Sequence, residues 1–141
     1  MKALKKLTSF AVGIFMCFTL SASLNATAQD HPKGKPWPAP EAAAKAKNPV
    51  KADEGSLKEG KDLYAQHCKS CHGAKGKGDG PKAEKLDISS GDFTGTDFVK
   101  ESDGAVYWKI TEGRKPMPSF KEKLGDQERW QVVNYLRSLA K

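Results

Sequence analysis

Two cysteines and a histidine stand together in the run Cys68-Lys69-Ser70-Cys71-His72. Two thiols so spaced near a helix end lie on one side of the chain, where both can react with one flat partner, and the next residue projects its imidazole beneath that partner. This is the C-x-x-C-H pattern of covalent haem attachment. The sequence therefore predicts one haem c, joined to Cys68 and Cys71 by two thioether bonds, with His72 as an axial ligand of its iron.

Two other uses of paired cysteines have weaker support in this sequence. A redox site of the thioredoxin sort needs a βαβ context, and no segment alternates as a strand would. A zinc site needs four ligands, for which His31, His67 and His72 accompany the two cysteines. Because His67 directly precedes Cys68, these two side chains would crowd a tetrahedral site, and haem attachment remains the favoured interpretation.

The second axial ligand is predicted to be Met117. It is the one methionine left once Met1 and Met16 are assigned to an export signal, and Pro116 and Pro118 flank it. The two prolines restrict the backbone on both sides, which favours binding because a thioether is a weak ligand that benefits from being held in place. The alternative use of such a residue is to fill a gap in the core.

The elements that must position these residues have the spacing of helices. Three segments carry apolar residues at helical intervals. The first is predicted to begin with a capping box of Ser56 and Glu59, the second with Ser102 or Asp103 as its cap, and the third with Asp126. The sequence therefore predicts an all-α domain of three main helices, with long loops that wrap a cofactor.

Residues 1–28 have the three regions of a secretory signal: a basic start, an apolar run over residues 10–20, and an A-x-A cleavage pattern that ends at Ala28. The apolar run is shorter than the about 20 residues of a membrane helix. We therefore expect cleavage after Ala28 and export to the periplasm, with an uncleaved membrane anchor as the alternative. Cys17 lies in the apolar run and would be removed with the signal.

Residues 29–55 form a separate segment, called the arm below. Five prolines stiffen it toward extended conformations, and Trp37 is its only tryptophan, tyrosine or phenylalanine. The sequence leaves two arrangements open, a tether without fixed contacts and a segment laid along the domain with Trp37 as a contact point. Residues 56–141 form the predicted haem domain.

The charge of the exported chain favours protein partners over nucleic acid. Removal of the signal leaves 21 basic and 17 acidic residues, a net charge of +4 in place of the +7 of the full chain. This mild excess lacks the clustering of a nucleic-acid-binding fold. It favours redox partners with acidic docking surfaces, and association rates that fall with salt.

Taken together, these features resemble the class I c-type cytochromes, in particular the small bacterial kind with one haem. The resemblance covers residues 56–141. Its parts are Gly60 and Tyr64 ahead of the C-x-x-C-H motif, the loop Gly76-Lys77-Gly78-Asp79-Gly80-Pro81, the run Pro116-Met117-Pro118, and Trp130 through Leu136. The resemblance implies the cytochrome c fold around one covalently bound haem.

The resemblance also implies how the terminal helices of the domain meet. Gly60 and Tyr64 would pack the first helix against the last, because a small residue allows the two backbones to approach closely. Val132 and Tyr135 would be their partners on the last helix.

Two further roles concern the haem pocket. The resemblance implies that Pro81 presents its carbonyl to the second ring nitrogen of His72, which would fix the orientation of the ring and leave the other nitrogen for iron. Trp108 would line the pocket, bond a propionate or serve in plain core packing.

With His72 and Met117 both bound, iron has no open position for a substrate, which implies a one-electron carrier and not an enzyme. Two other functions stay open. One is a haem subunit or module of a larger respiratory or dehydrogenase complex, and the other is a haem sensor or peroxidase with a labile sixth ligand. We expect a monomer with redox protein partners, including a membrane-bound respiratory complex, and no nucleic acid.

Overall fold

The computed structural model describes residues 34–140. The predicted signal peptide, with Cys17, and His31 of the arm lie outside the described residues. Within this range the chain is helical without a β-strand, so the all-α prediction is confirmed. The described part contains α1 (Glu41–Ala44), α2 (Glu54–His67), α3 (Lys69–His72), α4 (Thr96–Val99), α5 (Asp103–Glu112) and α6 (Asp126–Leu139), with a short 3₁₀ helix over Ala83–Lys85.

Helix α2 begins earlier than the sequence predicted. Asp53 is its N-cap and accepts a hydrogen bond from the backbone N–H of Ser56 at 2.9 Å. The predicted capping box of Ser56 and Glu59 is therefore wrong, because the Asp53 carboxylate satisfies the first turn instead. Ser56 lies inside the helix, where its hydroxyl accepts a hydrogen bond from Asn134 Nδ2 at 2.9 Å.

The other two main helices begin within one residue of their predicted caps. Ser102 caps α5 and accepts from the N–H of Ala105 at 3.2 Å. Helix α6 has Gly125 as its cap, and the side chain of Glu128 accepts from the N–H of Gly125 at 2.7 Å. Asp126, predicted to be the cap, is the first helical residue. Its negative charge there interacts favourably with the positive end of the helix dipole.

Helices α2 and α6 cross in close contact at Gly60. A Cβ atom at this position would overlap the backbone carbonyl of Gln131 and lie 3.0 Å from Tyr135 Cβ. One turn later, the rings of Tyr64 and Tyr135 lie with their centroids 5.3 Å apart. Tyr135 is thus confirmed as a partner of the first helix. Val132 lies with Tyr64 in the buried core, and the backbone of Gln131 is the part of α6 nearest to Gly60.

A single apolar cluster fills the space between the three main helices. Tyr64, Val132 and Val133 are its most deeply buried side chains. The others are Leu63, Phe98, Val106, Ile110, Phe120, Leu124, Trp130 and Leu136. No helix within residues 34–140 has the length and apolar character needed to cross a membrane.

The described part of the arm lies along the domain. Helix α1 packs on the start of α5, where a Cβ atom at Gly104 would overlap the backbone carbonyls of Ala43 and Ala46. The Ser102 hydroxyl donates a hydrogen bond to the Ala44 carbonyl at 2.6 Å. Of the two arrangements that the sequence left open, the structure therefore has the arm laid against α5.

The crossing at Gly60 yields a stability prediction. We expect Gly60→Ala to lower the free energy of unfolding of the haem-loaded protein by about 1–3 kcal/mol, the usual cost of overpacking, because the added methyl group pushes α6 away. Urea denaturation followed by circular dichroism measures this change.

Gly55→Ala is the matched control in the same helix. A Cβ atom there would meet only the Asp53 carboxylate, at 3.6 Å, so we expect no loss and a gain of up to about 1 kcal/mol from helix propensity. Equal losses in the two variants would contradict the close contact of α2 with α6.

Candidate haem site

The C-x-x-C-H motif lies where α2 passes into the short helix α3. The backbone N–H of Cys68 donates to the Tyr64 carbonyl at 2.9 Å, and the N–H groups of Cys71 and His72 donate to the Cys68 carbonyl at 3.1 and 3.0 Å. Both thiols are free and half-buried. The end of α2 therefore fixes the two sulfurs and the imidazole as one unit.

Burial keeps the Cys68 thiol protonated. It raises the pKa of Cys68 to about 12, and the neighbouring Cys71 adds a smaller effect in the same direction. Cys68 packs against the core cluster. Two free thiols are the form required for addition to the vinyl groups of a porphyrin, so this part of the site fits a haem.

His72 has the environment of a neutral metal ligand. Its ring stacks on Phe93, with centroids 4.6 Å apart and planes 25° apart. Burial lowers the pKa of His72 to about 4, an effect that the Ser90 backbone carbonyl partly offsets by hydrogen bonding. The imidazole is therefore neutral at physiological pH, the form that binds iron.

The His72 Nδ1 atom is buried and has no hydrogen-bond partner within residues 34–140. Nδ1 therefore makes no bond to the Pro81 carbonyl, and Pro81 is exposed. The neighbours of Pro81 instead tie its turn to the attachment helix, since Gly80 N–H donates to the Cys71 carbonyl at 3.1 Å and Lys82 N–H to that of Ser70 at 2.8 Å. An acceptor role for Pro81 stays a prediction for the haem-loaded protein.

The sequence did not indicate the role of the segment around Ser90. The backbone of Ser90 raises the pKa of His72 by hydrogen bonding. The Ser90 hydroxyl is buried and has no hydrogen-bond partner in the described part of the chain. Phe93 holds this segment against the motif, because its N–H donates to the Gly76 carbonyl at 2.7 Å while its ring covers His72. The aromatic ring of Phe93 was the only signal in the sequence that marked this loop.

Tyr64 links the helix crossing to the residue after the motif. Its hydroxyl donates to the carbonyl of Gly73 at 2.7 Å, and burial raises the pKa of Tyr64 well above its ordinary value. Gly73 has a φ of 80°, and a Cβ atom there would overlap the Asp79 carboxylate. The chain can therefore turn sharply after His72 only because residue 73 is a glycine.

Met117 lies on a loop folded back against the end of α5. Its N–H donates to the Arg114 carbonyl at 2.9 Å, and the N–H of Phe120 donates to the Ile110 carbonyl at 3.2 Å. Met117 is half-buried against the core cluster. Phe120 lies 6.0 Å from the ring of His67 between centroids, so the structure brings the methionine loop next to the end of α2, where the motif begins.

The donor set suits an iron porphyrin better than a bare metal ion. The half-buried neutral imidazole with its buried, unpaired Nδ1, the two free thiols and the half-buried thioether of Met117 correspond to the attachment and axial groups of a haem c. His67, the other described histidine, is exposed. Within residues 34–140, no group of three or more cysteine, histidine or acidic side chains has the arrangement of a metal site.

Comparison with known proteins identifies a family model and similar solved structures. The family model "Cytochrome c" matches residues 57–140. The c-type cytochrome KustC0563 is 36% identical with a TM-score of 0.52, over 58% of this chain and 98% of that one. A chain of the Kuenenia stuttgartiensis reducing HAO-like protein complex Kustc0457/Kustc0458 is 34% identical with a TM-score of 0.59, over 66% of this chain. Our chain spans about half of that subunit, 47% of its length. The search of curated proteins gave no match.

The Tyr64 hydrogen bond yields a second stability prediction. We expect Tyr64→Phe to lower the free energy of unfolding of the haem-loaded protein by about 1–3 kcal/mol, because the buried Gly73 carbonyl loses its short hydrogen bond and keeps only the long one from the Gly76 N–H, at 3.4 Å. Urea denaturation gives the value. Tyr135→Phe removes the same atom from a hydroxyl that makes no hydrogen bond within residues 34–140, and should change stability by less than about 0.5 kcal/mol. A Tyr64→Phe effect as small as that of the control would refute the importance of this bond.

Proposed function

The chain belongs to the cytochrome c family, whose domains carry a covalently attached haem c and transfer electrons, and from this premise we propose that it is a periplasmic one-electron carrier. Cys68 and Cys71 would hold the haem through thioether bonds, and His72 and Met117 would bind its iron. The signal-like sequence of residues 1–28 supports export.

The environment of His72 is the observation that supports this proposal most strongly. Burial makes the charged imidazolium unfavourable, so the ring is neutral without a proton having to be removed on binding. Stacking on Phe93 restrains the ring plane. A side chain that is already held in place loses little conformational entropy when it binds iron. It also rearranges little during electron transfer, as a carrier requires.

The chain's own residues determine how electrons would be exchanged. When bound, haem c supplies a one-electron couple at its iron. A thioether from Met117 would favour the ferrous state and raise the reduction potential, and the apolar packing of Phe93, Phe98 and Phe120 would act in the same direction by excluding water. Two filled axial positions would leave no site for a substrate, in agreement with a carrier rather than an enzyme.

The partners of a periplasmic carrier are other redox proteins. Encounters of this type use small, weak interfaces that form and dissociate quickly. The net charge of +4 predicted for the exported chain favours acidic partner surfaces, and the association rate should fall as salt is added.

A second candidate function is that of a haem module in a larger redox assembly. The supporting observation is the 34% identity to a chain of the reducing HAO-like protein complex, of whose length our chain spans 47%. Co-purification of the tagged full chain from its native cells separates the two functions. A free carrier elutes as a small protein, whereas a module remains with a stable complex after salt washing.

Haem attachment is tested by removing the thiols. We expect the double variant Cys68→Ala/Cys71→Ala to lack covalent haem, because no sulfur remains to form a thioether. Acid–acetone extraction followed by intact-mass measurement reads this out. Ser70→Ala, which changes one of the two residues between the cysteines, serves as the control and should retain the added mass of one haem. Extraction-resistant haem in the double variant would refute the attachment.

Methionine ligation is tested by exchanging the donor. Replacing Met117 by His should lower the reduction potential by about 0.1 V or more, since axial ligands account for much of a range of about 0.8 V among haem proteins. Redox titration of the haem-loaded variant measures the change. An unchanged potential would remove Met117 from the ligand set, and rapid, full carbon monoxide binding by the reduced wild-type protein would favour a sensor or peroxidase.

A further inference from the structure

Arg114 connects the arm to the methionine loop. Its backbone carbonyl accepts the hydrogen bond from the Met117 N–H at 2.9 Å, in an isolated antiparallel bridge. Its guanidinium points the other way, and Nη1 donates to the carbonyls of Lys35 and Pro36 at 2.9 and 3.3 Å. One residue therefore holds the loop with its backbone and the arm with its side chain.

Trp37 completes this connection. The Arg114 guanidinium lies over the Trp37 ring, with Cζ 4.7 Å from its centroid. The same ring meets Trp108 of α5 edge-on at 6.0 Å, and Lys109 Nζ lies 5.7 Å from its centroid. The flat guanidinium of Arg114 can stack on the ring while its Nη1 donates to the two carbonyls, and the two kinds of contact together restrict it more than either alone.

Gly34, the first described residue of the arm, lies between the loop that contains Ile88 and the methionine loop. A Cβ atom at Gly34 would be 3.5 Å from Ile88 Cδ1 and 3.6 Å from Arg114 Nη2. Ile88 belongs to the loop that carries Phe93, whose ring stacks on His72. The arm thus contacts the loop that packs on His72 and also the loop that carries Met117.

The other end of the arm is fixed independently. Asn48 Nδ2 donates to Asn134 Oδ1 at 2.8 Å, and Asn134 Nδ2 donates to the Val50 carbonyl at 3.1 Å. With α1 packed on Gly104 in between, the arm spans from α6 along α5 to the methionine loop. A segment fixed at one end can restrain what it contacts at the other.

We propose that the arm is a strap that keeps Met117 in its binding position, with Trp37 and Arg114 as positioning residues. The proposal rests on the proposed ligation of iron by Met117 and goes beyond it. A thioether is a weak ligand, so a loop free to move would release it easily. The strap would limit the open form of the loop and thereby limit the access of outside ligands to the iron.

The test uses the haem-loaded full chain with Trp37→Ala, Arg114→Ala and the double variant. Two rates report on loop opening: hydrogen exchange of the Met117 amide, measured by NMR, and carbon monoxide binding to the reduced protein. We expect each single variant to raise both rates by about three- to tenfold, the ratio that corresponds to losing one half-buried contact of this kind. The double variant should add little, because the two side chains act through one contact.

Matched controls separate charge and position from the contact itself. Lys115→Ala removes a positive charge from the residue next to Arg114, and Lys35→Ala leaves the backbone carbonyl that Arg114 binds. Both side chains belong to exposed residues, and both variants should leave the two rates unchanged. Arg114→Lys keeps the charge but not the flat guanidinium that lies over Trp37, so its two rates should rise as in Arg114→Ala. This milder variant also provides the test if Arg114→Ala does not accumulate in cells.

The outcomes distinguish this proposal from the ligation on which it depends. The red-edge charge-transfer band of ferric haem, which a thioether ligand produces, should be present in the wild type and absent in Met117→Ala. If that holds but the Trp37 and Arg114 variants keep wild-type rates, the strap is refuted and the ligation stands. If the band is absent from the wild type and Met117→Ala changes nothing, both the ligation and the strap are refuted.

Discussion

The contact of α2 with α6 at Gly60 is the constraint from which the site follows. Because residue 60 has no side chain, the backbone of α2 lies directly against the Gln131 carbonyl, and this fixes the position of the next turn, where Tyr64 meets Tyr135. Tyr64 in turn donates to Gly73. The motif lies between these two anchored points, so its thiols and imidazole inherit their position from a helix crossing about two turns away.

The two proposed axial donors are held by different means, and the difference matches their strength as ligands. His72 is half-buried, stacked on Phe93 and attached to a helix end, which restrains an imidazole that is already a good iron ligand. Met117 is a weaker ligand on a loop without a helix of its own. Its restraint comes from its own hydrogen bond to Arg114, from the bond of Phe120 to Ile110 of α5 and, in our proposal, from the arm that Arg114 binds. The weaker donor thus depends on more distant parts of the chain.

Sequence reasoning reached the parts of this protein that local chemistry determines. The C-x-x-C-H motif, the three main helices and the small residue at Gly60 each carry their signal within a few residues. The cap of α2 was placed three residues late because Ser56 and Asp53 are both good caps, and only the tertiary bond from Asn134 to Ser56 shows why the serine lies inside the helix. The role of Ser90 could not be predicted from the sequence. Its effect on the pKa of His72 comes from its backbone, which any residue type supplies.

The placement of the arm shows a further limit of local patterns. Five prolines and one tryptophan fit a tether as well as a bound segment, because proline stiffens the chain without specifying a partner. The contacts that bind the arm to the domain come from residues far apart in the sequence. They are the close approach allowed by Gly104, the amide pair of Asn48 and Asn134, and the guanidinium of Arg114. None of these residues carries a sequence signal for binding the arm. Because a proline-rich segment loses less backbone entropy on docking than an ordinary one, a few modest contacts suffice to hold it, and the arm can restrain the methionine loop without a core of its own.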